Sequence, residues 1–211
     1  MLFFRQIFDA RSYSFMYLLG NRTSGEAVAI DLVPSPTLLT AFGLLGELGL
    51  HAQHLLLTHV DGDTLALARP FTARTGATLA ASAEDAAAGV DAILTHGDRI
   101  DFGPEHLRVI ATPGHTPGSL SYLWRDRVFT GDTLMIGGCG CTEHPAADPA
   151  RLYDSVMHRL FTLPGETLVF PHHDRCGRTV STIAEERETN PAFAQRSRDE
   201  FITRRRSGAH P

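Results

Sequence analysis

Four stretches of this sequence place side chains capable of chemistry where an apolar run stops. LLLTHVDGDT at 55–64 carries His59, Asp61 and Asp63 behind Leu55-Leu56-Leu57. ATPGHTPG at 111–118 carries His115 behind the run LRVI, and VFTGD at 128–132 ends on Asp132. PHHD at 171–174 carries His172 and His173. The glycines and prolines around His115 fix a tight loop that can aim an imidazole. If His59, His115 and Asp132 meet, two imidazoles and one carboxylate occupy one face of an octahedral metal. Three positions then stay open, which suits a non-haem Fe(II) that must take both a substrate and O₂. Zinc hydrolases also use three protein ligands, so the donor types admit either metal.

The elements that must present these residues alternate in type. Residues 2–8, 13–19 and 26–33 read as strands separated by turn signals. Ser35-Pro36 supplies an N-cap and first-turn proline for a helix with Leu38, Phe42, Leu45 and Leu48 on one face, closed by Gly49. A strand at 53–58 delivers His59, a helix follows over 64–75, and 77–81 is a short strand. Strands at 106–112, 119–124 and 127–131 frame the next two sites. Asp148-Pro149 opens a helix with Leu152, Val156 and Leu160 on one face, and 167–170 is the strand before PHHD. Thr182 with Glu185 has the form of a capping box. That helix stops before Asn190-Pro191, and 197–206 is a terminal helix. Two sheets face to face with helices outside satisfy this pattern.

The chain has 211 residues, enough for one full core, so one domain over 1–211 is expected, with a core at about 2–193 and a helical tail at 194–211. A formal charge of −5 argues against nucleic-acid or anionic-membrane partners, which need a basic footprint. Arg204-Arg205-Arg206 is the only basic cluster and reads as a solvated tail. No apolar run is long enough to span a bilayer, and MLFFRQIFDA lacks a signal-peptide layout, so a cytoplasmic location is expected. Three cysteines make no disulfide framework. Cys139-Gly140-Cys141 reads as small, partly buried thiols, and Cys176 has no evident partner. His51, His54, His96, His106, His144 and His158 lack ligand spacing and read as surface or helix-face residues.

THVDGD, ATPGHTPG, FTGDTL and PHHD, in this order, resemble the metallo-β-lactamase superfamily. FRQIFD, GCGCTE at 138–143, RLYDSVMHRLFTLP at 151–164 and GRTVSTIAEERETNPAF at 177–193 narrow the resemblance to the persulfide dioxygenases (sulfur dioxygenases). It runs from about Leu2 to Phe193. The resemblance implies an α+β fold, a four-layer αββα sandwich, with one Fe(II) held by His59, His115 and Asp132. It implies oxidation of a low-molecular-weight thiol persulfide, such as glutathione persulfide, by O₂ to sulfite and thiol. A homodimer is a compatible assembly.

The superfamily's two-metal members carry His-x-His-x-Asp-His where this chain has His59-x-Asp61-x-Asp63-Thr64. The loss spares a mono-iron site and cripples a dizinc one. Asp61 therefore reads as a hydrogen-bonding or solvated carboxylate rather than a fourth ligand, and Asp63 and His173 as groups that support the ligands from behind. The family usually has arginine at Gly137 and Cys141, tyrosine at Arg175 and often Asp at Glu143, while His172 replaces a usual glycine. Cys141, Arg175 and His172 are thus the expected lining for the thiol carrier, with Arg175 restoring positive charge toward an anionic carrier. Two rivals stand beside this reading: a zinc thioester hydrolase of the hydroxyacylglutathione type, and a metal-binding protein without activity.

Overall fold

Period-two alternation along the strands divides their side chains between different cores, and this division sets the layering. The computed structural model describes residues 1–60, 62, 64–85, 89–143, 145–174 and 176–207. The first sheet runs in chain order: β1 (Leu2–Asp9), β2 (Ser14–Asn21), β3 (Glu26–Ile30), β4 (His51–Leu56), β5 (Thr78–Ser82) and β6 (Ala92–Leu94). The second sheet comprises β7 (Arg99–Phe102), β8 (Glu105–Ala111), β9 (Leu120–Trp124), β10 (Arg127–Gly131), β11 (Leu168–Pro171) and β12 (Ser181–Thr182), again in sequential spatial order. The helices are α1 (Leu38–Leu48), α2 (Thr64–Thr75), α3 (Pro149–Ser155), α4 (Ile183–Thr189) and α5 (Arg198–Arg206).

On β2, Phe15, Tyr17 and Leu19 point between the two sheets, where Val109, Tyr122, Phe129 and Phe170 meet them. Met16 and Leu18 point the other way, into a core shared with α1 and α2. On the second sheet, Val128 and Val169 face a third core built with α3, α4 and α5. Three apolar layers between four structural layers make the αββα sandwich.

Some element details differ from expectation. Leu38 is the first residue of α1, after Thr37, so Ser35-Pro36 precede the helix rather than opening it. Thr37 spends its hydroxyl on Asp9 instead of capping. α3 passes into a wider π turn at Val156–Leu160, which still keeps Leu152, Val156 and Leu160 buried. Only half of the Thr182 capping box forms, because the Glu185 carboxylate turns to Arg178 and Ser181. The full box is at Ser197 and Glu200 on α5. That helix is no solvated tail: Phe201 and Arg205, one turn apart on one face, are both buried. β6 and β12, with three and two residues, carry too few for a periodicity signal, and sequence reasoning passes over them and over β7.

The β1–β2 turn reaches toward the chemistry. Asp9 accepts from Ser12 N at 2.9 Å and Ser12 Oγ at 2.8 Å, and Ser14 bridges to His173. The hydroxyl of Thr37 and the donors of Ser12 and Arg11 outweigh burial and lower the Asp9 carboxyl from 3.8 to about 2. A depressed folded-state pKa stabilises fully above the unfolded value and is lost as pH falls through the folded one. The stability gap between the protein and Asp9→Asn is therefore expected to narrow between pH 4 and 2 in urea titrations, and to stay constant above pH 5.

Candidate metal centre

Each of the three candidate ligands leaves its strand at the C-terminal end. His59 follows β4 of the first sheet, while His115 follows β8 and Asp132 follows β10 of the second. The donor atoms of His59, His115 and Asp132 all lie within 4.8 Å of one another, and all three residues are buried. His115 Nε2 stands 3.7 Å and His59 Nε2 3.9 Å from Asp132 Oδ2. The two sheets are tied beside them by Leu120 N donating to Thr58 O at 2.6 Å, and by the Tyr122 hydroxyl donating to Leu57 O at 2.6 Å.

Hydrogen bonds on the far nitrogens fix the ring tautomers. His115 Nδ1 lies 2.9 Å from the Cys141 carbonyl, which can only accept. Nδ1 therefore carries the proton, and the Nε2 lone pair faces the cluster. That Nε2 is buried and has no hydrogen-bond partner. A buried acceptor left orphaned within reach of a second imidazole and a carboxylate fits a metal ion, which would satisfy it.

His59 Nδ1 lies 3.0 Å from Thr58 Oγ1, whose own proton is directed to Asp31 at 2.9 and 3.0 Å. Asp31 also accepts Thr58 N at 2.8 Å. The chain Asp31–Thr58–His59 thus sets the second imidazole as the Cys141 carbonyl sets the first.

Burial alone would raise the Asp132 carboxyl. The hydrogen bond from His173 and the charges of His59, His173 and His172 outweigh it and hold the group well below the usual carboxylate range. His173 Nδ1 sits 2.8 and 2.9 Å from the two Asp132 oxygens. The donor set offered to a metal is therefore two imidazole nitrogens and one ionised carboxylate.

Residues 10–172 match the metallo-beta-lactamase superfamily. Mitochondrial persulfide dioxygenase ETHE1 of Mus musculus is 39% identical over 203 residues, covering 94% of this chain and 78% of that protein. The chain belongs to the persulfide dioxygenase family of the metallo-β-lactamase superfamily. The crystal structure of ETHE1 from Myxococcus xanthus superposes with a TM-score of 0.93 at 42% identity, covering 99% of this chain and 92% of that one. Hydroxyacylglutathione hydrolase-like protein of Homo sapiens is 35% identical over 187 residues, covering 84% of this chain and 61% of that protein.

Against the persulfide dioxygenase pattern, the other sequence candidates fall in different places. His172 is held beside the cluster, its Nδ1 donating to Phe15 O at 2.9 Å and its ring centroid 5.6 Å from that of His59. Cys141 is exposed, not partly buried, because the group it spends on the site is its carbonyl. Cys139 is half-buried, as expected for a small thiol. Burial pushes it up to about 11 against the pull of Arg205, which donates to its sulfur at 2.6 Å. Cys176 finds a partner in Asp174, 3.1 Å away. Asp61, Asp63 and Arg175 lie outside the described residues, as does His144.

Sequence reasoning missed Asp31 and Thr58. Asp31 ends the run AVAI, the same apolar-run-then-acid pattern that marked the others, so the signal was present. It also missed what holds the 133–141 loop, whose Gly140 N donates to Asp132 O at 2.6 Å. From α4 and its end, Glu186 accepts Gly137 N at 2.9 Å, and Asn190 Nδ2 donates to Gly138 O at 3.0 Å. A Cβ at Gly140 would fall 2.8 Å from His115 Nδ1, and one at Gly131 would fall 2.4 Å from Thr58 Oγ1. The glycines let both loops close on the ligands. Thr58→Val, which keeps the shape and deletes the relay, is expected to lower metal affinity about 10-fold or more in a chelator competition, and to lower the melting temperature because Asp31 and His59 lose a buried partner.

Proposed function

We propose that the protein is an iron-dependent persulfide dioxygenase that takes glutathione persulfide or a similar low-molecular-weight persulfide. The persulfide, O₂ and water give the free thiol, sulfite and two protons. The S–S bond breaks, and the terminal sulfur gains all three oxygens. The observation that carries the reading is the buried His59, His115 and Asp132 set with its orphaned His115 Nε2, in a chain aligned over 94% of its length with a persulfide dioxygenase.

His59, His115 and Asp132 would hold the ferrous ion, which would supply the redox capacity for oxidising the persulfide with O₂. The chain's own residues do the rest. His59 and His115 turn Nε2 toward the metal position because Thr58 and the Cys141 carbonyl engage Nδ1. Asp132 contributes the single negative charge of the donor set, which would leave part of a bound divalent ion's charge for a persulfide anion. His173 anchors both carboxylate oxygens of Asp132, so the carboxylate cannot swing away. Exposed Cys141, whose carbonyl meets His115, and His172, whose ring centroid lies 5.6 Å from that of His59, are the residues we assign to the thiol carrier.

A zinc thioester hydrolase is the rival with an observation behind it, since hydroxyacylglutathione hydrolase-like proteins also align. Asp61 and Thr64 stand where a two-metal loop needs histidines, and this favours the single-metal chemistry. Oxygen-electrode traces on iron-loaded protein should show uptake with glutathione persulfide, abolished in His115→Ala with its circular dichroism intact. Cleavage of S-lactoylglutathione by the zinc-loaded form, with no oxygen uptake by the iron form, would contradict the proposal.

A further inference from the structure

The segment after β5 drew no attention in the sequence, yet one of its side chains joins the two histidine loops. Asp85 Oδ2 accepts from Val60 N at 3.1 Å and from Thr116 Oγ1 at 2.6 Å, and Oδ1 accepts from Gly118 N at 2.8 Å. Val60 directly follows His59, and Thr116 directly follows His115. These loops leave different sheets, so nothing in either sheet's own ladder fixes one relative to the other.

The second glycine of the PGHTPG loop has its reason here. A Cβ at Gly118 would stand 2.6 Å from Asp85 N and from Asp85 Cγ. The loop is shaped to receive this side chain. A carboxylate is also the group that the place requires. Three donors converge on it, and only an acceptor without hydrogens serves all three. Charged acceptors also hold such donors more strongly than neutral ones.

We propose that Asp85 is a positioning residue that clamps the His59 loop to the His115 loop and thereby sets the spacing of the two imidazoles. This rests on His59 and His115 being metal ligands. Asp85 acts on both at once, one residue along from each. An amide in its place has one oxygen, so Asp85→Asn must turn an N–H toward one of the three donors while keeping the others.

The test is Co(II) titration of the metal-free full chain, followed by visible absorption, for the unaltered protein, Asp85→Ala, Asp85→Asn and His115→Ala. Melting curves of the metal-free forms accompany it. Asp85→Ala is expected to bind Co(II) about 10- to 100-fold more weakly and with a shifted d–d band, and Asp85→Asn to fall between it and the unaltered protein. If Asp85→Ala does not fold, Asp85→Asn carries the same comparison. Unchanged affinity and spectrum, with or without a lower melting temperature, would overturn the clamp and leave the site reading standing. Failure of the unaltered protein to bind Co(II), or binding by His115→Ala equal to it, would overturn the site reading itself.

Discussion

A carboxylate buried against imidazoles is the constraint around which this molecule is organised. Asp132 sits at 8% exposure, with His59 and His115 nitrogens under 4 Å away and His173 bonded to both oxygens. Removing a charge from water is costly unless partners or a metal replace the solvent. Each imidazole in turn needs its far nitrogen engaged, or its lone pair will not face inward. These demands propagate outward to the Cys141 carbonyl, to Thr58 and Asp31, and to the glycines that let the loops approach. The two sheets hold the strand ends at the right separation, and the loops supply the aim.

Much of this was legible in the sequence because strand ends advertise themselves. An apolar run that stops at His59, His115 or Asp132 states both the element and the exit point. The layering followed from the alternation of strand groups and helices. What stayed hidden is what contacts across the fold decide. Asp31 had the same local signature as the ligands, but its role depends on Thr58 reaching it from the neighbouring strand. The basic end of the chain read as solvated, yet Arg205 lies one turn from Phe201 and packs inward against Cys139. Short strands such as β6, with three residues, carry no period to detect.

The segment at 177–193 that resembles the persulfide dioxygenases has a physical role in this chain. Glu186 and Asn190 are almost fully buried, and both are spent on the loop between Asp132 and Cys141. That loop delivers the carbonyl that orients His115. A stretch far from the candidate ligands in sequence thus shapes the loop that orients one of them. Of the departures from the family pattern, Gly137 and Cys141 belong to this same loop, and the ring centroid of His172 stands 5.6 Å from that of His59.

Anomalous diffraction from crystals of the chain soaked anaerobically with ferrous ion tests the centre most directly. A single iron peak, about 2 Å from His59 Nε2, His115 Nε2 and an Asp132 oxygen, is the expected result. Two peaks sharing Asp132, or no peak among these three side chains, would contradict the account.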